Sequence, residues 1–369
     1  MREIGIGLIG TGFMGKTHAI GYSAAAAIFP GCPRAVLRVV SDINQPAAQA
    51  MARQFGFQSW NTDWRSLLAD PSIEVVSITT PNVMHHEMAL AAIAAGKHVH
   101  CEKPLAPNAA QAREMMEAAE RAGCVTQVGF NYIKNPLLKL AREMIAAGEL
   151  GEITNFRGIH AEDYMADPQT PYSWRLDPAG GGGAVADLGS HIIGMARFLL
   201  GPLSAVNAEL ETVIKTRPEA PGANARRDVL VDDIARLGLR FAAGFGGSIE
   251  ANWMASGRKM QLGFEVSGSK GSLVFTQERL NELLHYRAGA AGFVRIESGP
   301  AHPPYGLFCV APGHQLGFND LKTIEMAEFL MAIDGGPRQG PDFREAWEIQ
   351  KIIDTAIASS REKRWMEID

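Results

Sequence analysis

Residues 3–28 read EIGIGLIGTGFMGKTHAIGYSAAAAI, an apolar run that breaks at Gly10-Thr11-Gly12-Phe13-Met14-Gly15 and resumes as an alanine-rich helix former. Each glycine of this G-x-G-x-x-G has its own steric job. The first permits a tight turn, the second lets a bulky group approach the backbone, and the third allows the helix to pack closely on the strand. The pattern alone is weak, because a plain glycine turn satisfies it. Its place between a strand and a helix gives it content. The helix start then offers unpaired N–H groups and a positive dipole end, suited to a pyrophosphate. Asp42 ends the next strand pattern, where a carboxylate can hold the ribose hydroxyls of a dinucleotide. It stands 27 residues after Gly15, against a usual spacing of about 20, and the loop FPGCPR accounts for the excess.

The alternation continues through AVLRVVSD, QPAAQAMARQFG, EVVSITTPN, HEMALAAIAAG, KHVHCEKP, NAAQAREMMEAAERAG and CVTQVGF. Strands separated by helices imply a parallel sheet covered on both faces. An α/β, Rossmann-type dinucleotide-binding domain is therefore expected over residues 1–131. Beyond it, a helix from about Pro136, a glycine run and a second helix lead into strands from about Ser204 to Ile296. Two helical segments, Leu321–Asp334 and Phe343–Ser359, follow. Short connections favour antiparallel pairing, so residues 132–369 are expected to form an α+β domain with an open, mostly antiparallel sheet. Its strands from Leu230 to Phe275 alternate apolar residues, yet few helices remain to cover both faces. A large bare apolar face is unfavourable in a monomer, so a dimer or tetramer through this sheet is expected.

The balance of 35 Lys+Arg against 40 Asp+Glu, without basic runs, argues against a nucleic-acid partner. No apolar stretch reaches the roughly 18 residues of a membrane span. MREIGIGLIG lacks a basic region followed by a long apolar core, and Cys32, Cys101, Cys124 and Cys309 are scattered. Together these give a cytoplasmic expectation. His85, His86, His98, His100 and Cys101 follow no zinc spacing, and no metal is expected.

Two further stretches carry chemistry. In HVHCEKP, Pro104 restricts Lys103 to extended backbone. Lys103 therefore leaves a strand at its carboxyl end, the edge where open parallel sheets bind ligands. Thr80, Pro81 and Asn82 end the preceding strand at the same edge. In GGGGAVADLGSHIIGMARFLLG, Asp187 and His191 are four apart and share one helical face. They fit either an acid/base pair, with the carboxylate orienting the imidazole, or a surface ion pair.

These residues resemble the glucose–fructose oxidoreductase / inositol dehydrogenase (Gfo/Idh/MocA) family. Gly10 to Gly15, Thr80-Pro81-Asn82 with His85, Glu102-Lys103-Pro104 and Asp187-x-x-x-His191 occur in the family's order along nearly the whole chain. The later stretches RKM (258–260), SGSKG (267–271) and QERLNE (277–282) are similar to a sugar-oxidising branch that includes levoglucosan and L-glucose/scyllo-inositol dehydrogenases. The resemblance implies an NAD-dependent oxidoreductase moving hydride between nicotinamide and a ring hydroxyl of a sugar, anhydrosugar or inositol. Lys103 would contact the reacting oxygen, His191 would be the principal acid/base, and Asp187 would hold His191 or a substrate hydroxyl. The Lys103–Pro104 bond would be cis. Gly10, Thr11, Gly12, Phe13, Met14, Gly15 and Asp42 would bind the cofactor with Thr80, Pro81, Asn82, His85, Glu102, Lys103 and Asn131. Trp174 and Arg175 would reach it from the second domain. Asn131, Asp163, Tyr164 and His314 would contact substrate beside Lys103, Asp187 and His191. Ile133 stands where many relatives carry arginine. NADP is disfavoured because Asp42 would repel a 2′-phosphate. An NADPH-dependent sugar reductase is the closer alternative, and a non-catalytic sugar sensor, which would be expected to lose Lys103 or His191, is the other.

Overall fold

The computed structural model describes residues 1–369. The chain forms two compact units, one of residues 1–134 with 316–347 and one of residues 135–315 with 348–369.

The first unit is built on β1 (Glu3–Ile9), β2 (Arg34–Ser41), β3 (Ser59–Asn61), β4 (Val75–Ile78), β5 (His98–Cys101) and β6 (Thr126–Val128). They form a six-stranded parallel sheet in the order β3-β2-β1-β4-β5-β6. The helices between them are α1 (Phe13–Ile28), α2 (Gln45–Phe55), the single turn α3 (Ser66–Ala69), α4 (His85–Ala94) and α5 (Ala109–Ala122). Asn44 and Asn108 cap α2 and α5, which Gly56 and Gly123 close in the left-handed conformation. Ile4, Ile6, Leu8, Val75, Val76, Ile78 and Val99 are buried, as strands covered on both faces require. The strand order reverses between β1 and β4, and ligands of such sheets bind at that switch point.

A division of the chain at residue 131 was expected, with everything later in the second domain. The structure returns residues 316–347 to the first unit. The returning segment buries Leu321, Ile324, Met326, Phe329 and Leu330, and a buried charge network fixes its position. Lys322 lies on a helix near the C-terminus (Phe318–Ile333) and is fully buried. Its Nζ lies 3.0 Å from Glu102 Oε1 and 3.1 Å from Glu325 Oε1. His18 Nε2 donates to the same Glu102 oxygen at 2.8 Å, and His100 Nε2 reaches Glu325 at 2.6 Å. On the other side of His18, Nδ1 takes the Ser77 hydroxyl at 2.8 Å. Burial would favour a neutral carboxyl at Glu102, but Lys322 and His18 hold it ionised, well below the usual carboxylate range. Burial drives His18 the other way, down to about 3, and keeps it neutral. The helix also packs on α1 where a Cβ at Gly21 would meet Met326 Cγ at 2.9 Å.

The second unit holds α6 (Pro136–Ala146), β7 (Ile153–Ala161), a π-helical turn (Val185–Gly189), α7 (Ser190–Leu200), β8 (Leu203–Glu211) and the ribbon β9 (Thr216–Pro218) with β10 (Arg226–Asp228). There follow β11 (Ile234–Phe241), β12 (Gly246–Asn252), β13 (Gln261–Gly268), β14 (Gly271–Thr276), β15 (Glu282–Arg287), β16 (Val294–Glu297) and the short α8 (Tyr305–Phe308). After the helix of Lys322, here α9, come α10 (Phe343–Glu362) and β17 (Met366–Glu367). Nine strands run in the order β16-β15-β14-β13-β7-β12-β11-β8-β17. Every neighbour pairs antiparallel except β7 with β12. That exception has a topological cause, because β7 enters from before the glycine run and inserts between later strands.

The expectation of a bare apolar sheet face is corrected. Leu237, Leu239, Ile249, Leu262, Phe264 and Leu273 are buried, on the side packed by α6 and α7. The opposite face carries Arg157, Glu209, Arg236, Glu250, Gln261 and Glu265 around an open concavity of about 710 Å³. Strict alternation sent the apolar set under the helices and left the polar set outside.

Replacing Lys322 by Met should strand Glu102 and Glu325 as buried charges and cost about 3–5 kcal/mol at pH 7, read by urea unfolding. Both carboxylates titrate below their ordinary value in the fold. Their ionised contribution is therefore present above the unfolded pKa of roughly 4.3 and is lost as pH falls through the folded values. The gap between variant and wild type should close on acidification. A gap that stays constant as pH falls from roughly 4.3 through the lower folded values would contradict this account.

Candidate active site

In the first unit the glycine turn sits at the switch point. Gly10 has φ +101°, and a Cβ there would lie 2.7 Å from Thr79 Oγ1. A Cβ at Gly15 would meet the Gly10 carbonyl at 2.2 Å. Gly12, by contrast, has nothing within 4 Å of its Cβ direction. It is the N-cap of α1, no side chain caps that helix, and its first turn carries no acidic residue. A bare glycine at an uncapped helix start is a cradle for a phosphate. Phe13 is 70 % exposed at its rim and stacks on Phe318 with centroids 5.6 Å apart. Asp42 is already oriented: Oδ2 accepts the Thr11 N–H at 2.9 Å and hydroxyl at 2.6 Å, and Oδ1 accepts the Asn44 N–H at 2.9 Å. A ribose would meet the remaining lone pairs of a carboxylate fixed in place.

Thr80, Pro81 and Asn82 follow β4, and Asn82 opens a short 3₁₀ turn. His85 was expected beside a ribose, but it is fully buried. Its Nε2 faces the Thr80 carbonyl at 2.9 Å and its Nδ1 the Pro104 carbonyl at 3.0 Å. Both nitrogens are thus used as a strut between the ends of β4 and β5. Glu102, expected at the same place, points into the buried network, where Oε2 accepts the Lys103 N–H at 3.2 Å. Lys103 is half-buried at the end of β5, and its bond to Pro104 is cis. Asn131 is 2 % exposed, and its Nδ2 has no hydrogen-bond partner in the protein. An orphaned buried donor is rare, and a ligand acceptor would satisfy it.

In the second unit Asp187 falls in the π turn and His191 in the first turn of α7. A regular α-helical face was expected for the pair. The structure instead places a wider turn at Asp187, a feature common at functional sites. Tyr164 Oη donates to Asp187 Oδ2 at 2.6 Å, and Arg175 Nε donates to the same oxygen at 3.2 Å. The Arg175 guanidinium lies 4.4 Å from the Trp174 ring centroid. Arg175, assigned to the cofactor by resemblance, is here engaged by Asp187. Burial and the Asp187 charge push the Tyr164 phenol upward, so it remains a donor across the working pH range. His191 is buried with its ring 5.5 Å from that of His160. His160 in turn lies 2.9 Å from the Leu188 carbonyl of the π turn. Asp163 is spoken for by Lys259 Nζ at 2.7 Å and the Gly257 N–H at 2.9 Å, and these donors lower its pKa. His314 is exposed in the loop before α9, and no hydrogen bond joins it to Tyr164 or Asp187.

The family's NAD-binding Rossmann-fold oxidoreductase model matches residues 4–130, and its C-terminal-domain model matches residues 138–274. The levoglucosan dehydrogenase of Pseudarthrobacter phenanthrenivorans is 39 % identical over 100 % of this chain and 99 % of its own length. The chain belongs to the GFO/IDH/MocA oxidoreductase family. A solved levoglucosan dehydrogenase, in complex with NADH and levoglucosan, superposes with a TM-score of 0.95 at 39 % identity over 100 % of both chains. The NAD(+)-dependent scyllo-inositol 2-dehydrogenase of Bacillus subtilis is 26 % identical over 86 % of this chain and 84 % of its own.

As a member of the GFO/IDH/MocA family the chain has an NAD-binding Rossmann fold, and the bare Gly12 cradle, oriented Asp42 and orphaned Asn131 amide fit that cofactor. Several residues that shape the site escaped sequence reasoning. His18 lies three residues after Gly15 on the buried side of α1. Lys322, Glu325 and Glu328 are charges inside LKTIEMAEFLMAI, otherwise mostly apolar, and such a helix is normally buried. That conflict was a visible signal. Removing the Thr11 hydroxyl with Thr11→Val should loosen Asp42 and weaken NADH binding about fivefold, the value of one hydrogen bond near 1 kcal/mol. NADH fluorescence titration reads the change. An unchanged affinity would show that the Thr11 hydroxyl does not prepare Asp42.

Proposed function

We propose that this chain is an NAD-preferring dehydrogenase that oxidises a ring secondary hydroxyl of an uncharged cyclic polyol: a sugar, anhydrosugar or inositol. The observation that carries it is Lys103, held at the end of β5 in the same sheet whose β1 ends in the bare Gly12 cradle. Full-length similarity to a levoglucosan dehydrogenase supports the substrate class. Bound NAD supplies the hydride acceptor. His191 takes the hydroxyl proton, and the Lys103 ammonium stabilises alkoxide character on the reacting oxygen. Asp187, fixed by Tyr164 and Arg175, orients a substrate hydroxyl or His191. Asn131 offers its free amide to a ligand acceptor. Tyr164, Asp187, His191 and Lys103 mix donors and acceptors, which suits a ring whose hydroxyls are both. With Arg175 committed to Asp187, no paired arginines await a phosphate or carboxylate.

Steady-state rates on a panel of levoglucosan, inositols, monosaccharides, sugar phosphates and cyclohexanol test the assignment, with NAD and NADP compared. Polyols should be oxidised, deoxy analogues poorly, and cyclohexanol hardly at all, because a missing hydroxyl leaves a buried partner unpaired. Preference for NADP or for sugar phosphates would sink it. Lys103→Ala should lose about 10²-fold or more in kcat, while NADH affinity stays within a few fold. His191→Ala should likewise lose turnover and flatten the rise of the oxidation rate with pH.

We also propose that the polar sheet face joins copies of this chain in a dimer or a tetramer built from dimers. Arg157, Arg236, Glu209, Glu250 and Glu265 put both signs on one surface, which a two-fold axis can pair with itself. Light scattering at micromolar concentration should give a multiple of the 39.8 kDa chain mass. A monomer that persists at low salt would contradict it.

A further inference from the structure

Asp232 and Asp233 precede β11, and both are buried. Their carboxylates diverge. Asp232 Oδ2 accepts the Val185 N–H at 2.8 Å, and its backbone carbonyl accepts the Ala184 N–H at 2.9 Å. The π turn begins there with no capping side chain of its own, so a remote residue caps it. Gly183 has φ +110°, and a Cβ on it would lie 2.3 Å from Asp232 Oδ1. The last glycine of the 180–183 run is bare because this carboxylate rests against it.

Asp233 serves the other side. Its Oδ1 accepts the Trp253 indole N–H at 2.7 Å, and Oδ2 accepts the N–H groups of Val213 and Ile214 at 2.7 and 2.9 Å. Arg217 Nη2 stands 3.8 Å from Oδ1. Fully buried itself, Arg217 donates to the carbonyls of Met165 at 2.7 Å and Asp167 at 2.9 Å. Those carbonyls belong to the turn that follows Tyr164, whose ring meets Trp253 edge-on at 6.1 Å. The circuit closes at the 2.6 Å bond from Tyr164 Oη to Asp187 Oδ2. One aspartate therefore holds the turn that carries Asp187, and its neighbour holds the turn that carries Tyr164.

Burial, with a contribution from Asp233, pushes the Asp232 carboxyl up to about 7. The fold accepts that penalty. On the reading that Asp187 and His191 act on the substrate, we propose that Asp232 and Asp233 are positioning residues that together set Asp187 against Tyr164 for sugar oxidation.

The test compares Asp232→Ala, Asp232→Asn and Asp233→Ala with Asp187→Asn and His191→Ala. Each is read by kcat and KM on the best substrate of the panel, and by NADH affinity. Asp232→Ala and Asp233→Ala should lose about 10- to 10²-fold in kcat, the scale of a small misplacement of catalytic groups, with NADH affinity unchanged within about twofold. Asp232→Asn keeps an acceptor for Val185 and should recover most of the loss. In a Tyr164→Phe background, where the bond to Asp187 is already absent, Asp232→Ala should cost little further. A folded Asp232→Ala with native kcat and only a lower melting temperature would reduce Asp232 to a cap and overturn the inference. So would a kcat loss that Asn does not recover, or one that multiplies fully with Tyr164→Phe. Should Asp232→Ala not fold, Asp232→Leu, which keeps the shape but offers no acceptor, carries the same expectations. If Asp187→Asn and His191→Ala keep native turnover, the site assignment itself falls and the inference with it; if they lose turnover while the Asp232 and Asp233 variants do not, only the inference falls.

Discussion

The ion pair between Glu102 and Lys322 is the constraint on which the first unit depends. A carboxylate fully out of water must be matched, and Lys322, His18 and the Lys103 N–H match both of its oxygens. The consequences are topological as well as electrostatic. A helix more than two hundred residues along the chain is drawn back onto the Rossmann unit, and the end of β5 is fixed at the point where Lys103 leaves the sheet. Glu325 and His100 extend the same network. Breaking one member of such a cluster is more damaging than never having had it, because the remaining charge cannot leave.

The two constellations are built in different ways. The first unit relies on emptiness: no side chain around Gly12, no cap on α1, and an unmet amide at Asn131. These gaps have the chemistry of a dinucleotide. The second unit relies on commitment: Asp187 is gripped by Tyr164 and Arg175, the start of its turn by Asp232, and the turn of Tyr164 by Arg217 beside Asp233. A pre-oriented polar set loses little on binding, whereas a flexible one must be ordered by its ligand.

The four glycines at 180–183 show how a legible feature can still be misjudged. From sequence they mark a turn before a helix. In the fold, Gly182 packs against the Arg175 carbonyl, where a Cβ would lie at 2.3 Å, and Gly183 packs against Asp232. The run is a close-packing device that brings Arg175 and Asp232 to the turn that bears Asp187. Similarly, the alternation between Leu230 and Phe275 marks strands, but the apolar face it defines is covered, not bare. The period gives which residues share a side, whereas which side the helices cover is decided by α6 and α7.

The sequence by itself determined the Rossmann order, the glycine cradle, Asp42 at the end of β2 and Lys103 at the end of β5. These follow from local periodicity and from residues whose backbone needs are strict. It also carried the motif order that marks the family. Only the tertiary structure decided which partners these groups would meet: Lys322 for Glu102, Arg175 for Asp187, Lys259 for Asp163, and two backbone carbonyls for His85. Side chains of one type look alike in a sequence whether they serve a ligand or the interior. Their partners come from distant segments, and only the folded chain brings donor and acceptor within hydrogen-bond reach.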